Sequence, residues 1–105
     1  MRPLPELAAS AELVGSDGAR APLRVVDVSV GGLALARDGA LRFAEPSRRL
    51  ALHIALTNYG EHEVQVEVRW AAESLVGVQF VDLGPAATSS VRKYVAELLE
   101  RGAPS

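Results

Sequence analysis

Cysteine is absent from these 105 residues, which excludes disulfides, thiol catalysis and thiolate metal sites. Aromatic residues make up only 5% of the chain and the net charge is −2. A small nucleic-acid-binding barrel needs exposed aromatics in a basic groove, so affinity for DNA or RNA is not expected. No apolar run approaches the length of a membrane helix and no signal-peptide pattern opens the chain, so a cytoplasmic protein without a membrane span is expected. The two histidines, His53 and His62, lack ligand spacing with a carboxylate cluster and read as surface residues, leaving no metal site. Glu61, Glu63 and Glu67 read as a solvated face. There is no nucleophile-elbow motif or oxyanion loop to turn Asp27, Ser29 and a distant histidine into a hydrolase site, and no enzyme is expected.

What is present fits one small folded domain over residues 1–105, with 49% hydrophobic residues and a core that needs no disulfide. Charge is unevenly spread: residues 1–52 carry seven arginines against six acids, and residues 53–105 four bases against seven acids. The first half can therefore hold a locally positive site. Arg37, Arg42, Arg48 and Arg49 bracket one connection, as solubilising charge or as a surface for an anionic partner.

Residues 1–7, with Pro3 and Pro5, read as irregular. Ala8–Val14 is a weak first strand ended by the turn cluster Gly15-Ser16-Asp17-Gly18. Leu23–Ser29 and Leu33–Ala36 follow, with Asp38-Gly39 turning the chain and a short irregular stretch near Pro46-Ser47. Strict alternation at Leu50, Leu52, Ile54, Leu56 and at Val64, Val66, Val68, Trp70 marks two strands with one buried face each, joined through Asn58-Tyr59-Gly60. On that phase Trp70 belongs to the core. Val76, Val78 and Phe80 make a sixth strand. Val91, Tyr94, Val95 and Leu98 then recur at helical spacing after Gly84-Pro85, with Gly102 as the stop. Residues 8–83 thus predict a six-stranded antiparallel β-barrel, and residues 85–101 a C-terminal helix that covers one end or edge. An exposed edge strand or the Tyr94/Leu98/Leu99 region offers a means of pairing subunits, so the chain is read as monomer or homodimer.

The run Asp27-Val28-Ser29-Val30-Gly31-Gly32 has the form Asp-x-Ser-x-x-Gly inside a β-prone segment. At i and i+2 of an extended segment, Asp27 and Ser29 point from one face, an acceptor beside a hydroxyl. The glycines allow positive φ or close approach of a ligand. The same residues also make a structured turn, because Asp and Ser bond their own backbone two residues on.

Three segments resemble the PilZ domain family: Val25–Leu35 with the Asp-x-Ser-x-x-Gly element, Val66-Glu67-Val68-Arg69-Trp70, and Gly77–Leu83 leading into the helix. The resemblance implies a PilZ-type barrel, a role in cyclic di-GMP signalling, and output through a protein partner such as motility, pilus or exopolysaccharide machinery. It assigns Asp27, Ser29 and Gly32 to the guanine edge. The family's other element, Arg-x-x-x-Arg before the first strand, is matched by Arg2 alone. Arg20-Ala21-Pro22-Leu23-Arg24 has the literal spacing but lies in the second strand, so Arg20 and Arg24 contact phosphate only if they replace the missing charge. The expectation is weak or lost cyclic di-GMP binding, with a nucleotide-free protein adaptor as the alternative.

Overall fold

The computed structural model describes residues 1–104. Seven antiparallel strands form one sheet in the order β2-β1-β5-β6-β7-β4-β3. They are β1 Ala9–Val14, β2 Arg20–Leu23, β3 Val25–Val28, β4 Gly32–Ala36, β5 Arg49–Leu56, β6 Gly60–Ala71 and β7 Leu75–Val81, followed by α1, Gly84–Glu100.

The added strand, β2, shares only Leu23 with the expected strand Leu23–Ser29, so one extended segment runs from Arg20 to Val28. It changes partner at Arg24: Leu23 lies opposite Ala11 of β1, whereas Val25 lies opposite Leu35 of β4. The two outermost strands of the sheet are therefore consecutive in the chain, and this one segment borders both ends of a curled, barrel-like sheet. Pro22 lacks an N–H, and it sits on an outermost strand where no ladder bond is lost.

The alternation read from the sequence holds through the centre of the sheet. Leu52, Ile54 and Leu56 of β5, Val64, Val66 and Val68 of β6, and Val76 and Val78 of β7 are all buried. They form one core with Leu33, Leu35 and the helix stripe Ala87, Val91, Tyr94 and Leu98. Each Val, Leu or Ile side chain so removed from water is worth roughly 1.5–3 kcal/mol. The Tyr94 hydroxyl donates to the Leu7 carbonyl at 2.6 Å and its ring meets Tyr59 edge-on. That pins the helix over the end of the barrel where β5 turns into β6. The opposite end is plugged from the β4–β5 connection, where a short 3-10 turn, Gly39–Leu41, buries Leu41, and Ala44 follows it inward. The helix stops as expected at Gly102, which has a φ of 74°; Gly102 N–H bonds Leu99 O at 3.1 Å and Ala103 N–H bonds Leu98 O at 3.0 Å, a Schellman motif.

One expectation about the core is overturned. Trp70 is 47% exposed. Register slips between Val68 and Trp70, where Val68 faces Val78 but Trp70 faces Gly77. The extra residue, Arg69, is a β-bulge, and a one-residue slip moves the next side chain to the other face.

Candidate functional site

The bulge at Arg69 has a counterpart. Register also slips between Val25 and Asp27 of β3, so Val26 is an extra residue there. In the sheet, β6 and β3 flank the central pair β7 and β4. The two bulges therefore stand on either side of that pair. Bulges re-aim side chains, and these send Val26 and Asp27 from one side, Arg69 and Trp70 from the other, to the outer face of the sheet. Between them the outward positions are small except for Gln79: Ala34 lies opposite Gly77, and Gly32 opposite Gln79. Walls of large side chains over a floor of glycine and alanine leave a cavity of about 620 Å³. Arg2, Asp27, Ser29, Gly32, Arg69, Trp70 and Gln79 are among its lining residues.

The floor is fitted closely. A Cβ on Gly77 would lie 2.2 Å from Trp70 Cε2, so the indole rests directly on this glycine. A Cβ on Gly32 would lie 2.0 Å from the Val78 carbonyl oxygen. Neither glycine has a positive φ. Gly32 is thus required by the approach of β7 to β4, a reason distinct from the turn geometry or ligand approach expected from the sequence.

Ser29 serves the β3–β4 hairpin. Its hydroxyl accepts from Gly32 N–H at 3.1 Å and donates to Gly32 O at 3.2 Å, while its own N–H bonds the same carbonyl at 2.9 Å. One lone pair of the hydroxyl is left free. Asp27 accepts from the Met1 ammonium, which also donates to Val28 O at 2.8 Å. Asp27 and Ser29 share the cavity, as their i, i+2 spacing requires. Arg2 also lines it, and Arg69 does so while its Nη1 holds Glu67 at 3.1 Å.

Arg20 and Arg24 are not brought to the cavity. Arg20 faces Glu12 at 3.4 Å and Glu63 at 3.9 Å, and Arg24 faces Asp38 at 3.6 Å. His53 Nε2 is 2.6 Å from Glu61, and this hydrogen bond holds the Glu61 carboxyl below its usual range. His62 Nε2 lies 3.4 Å from the Tyr59 carbonyl. Among the described residues no group of three or more His, Cys, Asp or Glu side chains is placed to hold a metal ion, and no helix is long and apolar enough to cross a membrane.

Arg69, Trp70 and Gln79 were not anticipated as site residues. Their signal in the sequence is the pairing of an aromatic after a strict alternation with a glycine, Gly77, at the facing register.

No curated protein sequence matches the chain. Among solved structures, K. pneumonia MrkH in its apo state superposes with a TM-score of 0.79 at 19% identity, over 96% of this chain and 48% of that one. The chain spans about half the length of MrkH, which is described as a c-di-GMP-dependent transcription regulatory factor. The PilZ domain of Escherichia coli YcgR, solved with c-di-GMP, gives a TM-score of 0.72 at 16% identity over 97% of this chain and 88% of that one. The Legionella protein Lpg0364 gives 0.68 at 16% identity, covering 96% and 94%. At these identities the likeness is one of fold. The PilZ domain profile matches residues 2–97, nearly the whole chain. The chain belongs to the PilZ domain family.

Proposed function

We propose that this chain is a non-enzymatic regulatory domain of cyclic di-GMP signalling that acts in the cytoplasm through a protein partner, and that it takes the nucleotide with low affinity. The observation that carries the reading is the single cavity that gathers Asp27, Ser29, Arg2, Arg69 and Trp70 over a glycine and alanine floor. Guanine presents N–H donors along one edge, and Asp27 together with the free lone pair of Ser29 supplies acceptors side by side. The half-exposed Trp70 indole offers a plane on which a base can stack. Arg2 and Arg69 are the cations for the phosphates.

Low affinity follows from how these groups are already engaged. The ligand carries two negative phosphodiesters. Arg69 is paired with Glu67, the Ser29 hydroxyl is held in the hairpin, and the Asp27 carboxylate is paired with the Met1 ammonium. Arg20 and Arg24 are spent on carboxylates elsewhere. Each charge-assisted contact that is not made costs about 1.5–3 kcal/mol, at least tenfold in affinity.

Calorimetric titration of cyclic di-GMP into the purified chain tests this, with Trp70→Ala and Asp27→Ala/Ser29→Ala alongside. The expected result is a Kd of roughly 10 µM or weaker, weakened further in both variants. Submicromolar binding overturns the low-affinity reading. Absence of heat at saturating nucleotide leaves the protein adaptor without a nucleotide, which the engagement of Ser29 and Arg69 in the fold itself favours as the second reading.

A further inference from the structure

We propose that the β4–β5 connection is a docking surface for an acidic protein segment, read by Phe43 together with Arg42 and Arg48; this names the kind of partner for the regulatory domain proposed above and rests on that reading. Phe43 is 79% exposed, the most exposed of the large apolar side chains among the described residues. It is displayed on a fixed loop. Leu41 and Ala44 on either side are buried in the core, and Leu41 N–H bonds Asp38 O at 2.9 Å while Ala44 N–H bonds Leu41 O at 3.1 Å. The far end of the loop is tied to β6 by Ser47 N–H to Val68 O at 2.7 Å and Val68 N–H to Arg48 O at 2.9 Å. An aromatic held rigidly in water gives up little conformational entropy when a partner covers it.

The unpaired charges on the same loop as Phe43 choose the partner. Three other arginines of this end are committed: Arg37 to the Ala72 carbonyl at 2.9 Å, Arg24 to Asp38 at 3.6 Å and Arg49 to Glu67 at 3.5 Å. Arg42 and Arg48 make no ion pair among the described residues, and both are exposed. Their planar guanidinium groups match carboxylates two bonds at a time. A membrane or a nucleic acid responds to summed charge over a wide area. Here the whole chain carries −2, and Asp38 and Glu45 interrupt the basic segment itself. A short peptide with carboxylates flanking an apolar residue reads only the local pattern of Arg42, Phe43 and Arg48.

The test is selection of a random dodecapeptide display library on the wild-type chain, with depletion on the Arg42→Glu/Arg48→Glu variant. The expected outcome is enrichment of acidic peptides carrying an apolar residue. Synthetic copies should bind Phe43→Ala at least about tenfold more weakly than wild type. All three side chains project into solvent, so the variants should melt like the wild type and titrate with cyclic di-GMP unchanged, because none of them lines the cavity. Enrichment that ignores the variants, or peptides without acidic residues, overturns the proposal. So does binding of phosphatidylserine vesicles or a DNA duplex that Phe43→Ala abolishes, which would make the loop a polyanion site. Failure here leaves the cyclic di-GMP titration standing, and failure of that titration leaves this selection standing.

Discussion

Two adjacent glycines of the Asp-x-Ser-x-x-Gly element should respond to alanine in opposite ways. At Gly32 a new Cβ would stand 2.0 Å from the Val78 carbonyl oxygen, 3.0 Å from its carbon and 3.1 Å from Gln79 Cα. Carbon and carbonyl oxygen meet at about 3.3–3.6 Å even in the close contacts between strands, so β4 and β7 would have to part by more than about 1 Å. Every neighbour is backbone, and β7 cannot retreat because Val78 is itself paired with Val68 of β6. The strain of overpacking is about 1–3 kcal/mol. Opening the ladder also threatens bonds such as Phe80 N–H to Gly31 O, 2.9 Å long, at about 0.5–1.5 kcal/mol each. A loss near 4 kcal/mol is expected for Gly32→Ala, a large part of the roughly 5–15 kcal/mol that a domain possesses. It corresponds to a fall in Tm of about 15–30 °C. At Gly31 a Cβ meets nothing within 4 Å and φ is not positive. Gly31→Ala should be neutral or gain up to about 1 kcal/mol by stiffening the unfolded chain. Urea denaturation followed by circular dichroism separates the two. Gly32→Ala within about 1 kcal/mol of wild type, or an equal loss in both variants, would refute the close-approach argument.

Two further substitutions probe the helix and the cavity floor. Tyr94→Phe strips the buried Leu7 carbonyl of its 2.6 Å partner and should cost about 1–2 kcal/mol near neutral pH. Burial pushes the Tyr94 hydroxyl from 10.0 up to about 12, so the unfolded chain ionises first. The wild type should lose up to roughly 3 kcal/mol between about pH 10 and 12. Its advantage over Tyr94→Phe should vanish in that window; urea midpoints that run parallel across it would contradict this. Gly77→Ala places a Cβ 2.2 Å from Trp70 Cε2, but here the neighbour is a half-exposed side chain that can swing away. The fold should lose only ~1 kcal/mol, while the fluorescence of the single tryptophan shifts to the red and becomes more quenchable. An unshifted spectrum would mean that Trp70 does not rest on Gly77.

The parts of the fold legible in the sequence are those governed by local periodicity. Leu52, Ile54 and Leu56, then Val64, Val66 and Val68, alternate because each strand has one wet face, and Val91, Tyr94 and Leu98 recur because the helix has one apolar stripe. The departures come from long-range pairing. Residues 23–28 look like one strand, yet Arg24 divides them because its two sides pair with strands at opposite ends of the sheet. Trp70 continues the phase of Val68 in the sequence, and only its pairing with Gly77 across the sheet reveals the inserted Arg69. Asp27, Ser29 and Gly32 were legible as a cluster because they are neighbours in the chain. Arg69, Trp70 and Gln79 were not, because two strands and the bulge at Arg69 bring them there.

This division bears on what the Asp-x-Ser-x-x-Gly element encodes. Gly32 is fixed by the Val78 carbonyl behind it, and Ser29 by three hydrogen bonds to Gly32 within its own hairpin. Both residues would be required for this sheet to close whether or not a ligand ever bound. The element is therefore first a folding signature, and its presence explains the barrel more directly than the ligand. The choice of ligand rests with the groups the hairpin does not consume: the Asp27 carboxylate, the Trp70 indole and the Arg2 guanidinium, with Arg69 once Glu67 releases it. Substitutions at Gly32 report on binding only through the fold and those at Ser29 mix fold and contact, whereas Asp27, Trp70 and Arg2 can be changed at small cost in stability. Nucleotide affinity measured across those three positions therefore isolates the chemistry of the cavity from the integrity of the sheet that forms it.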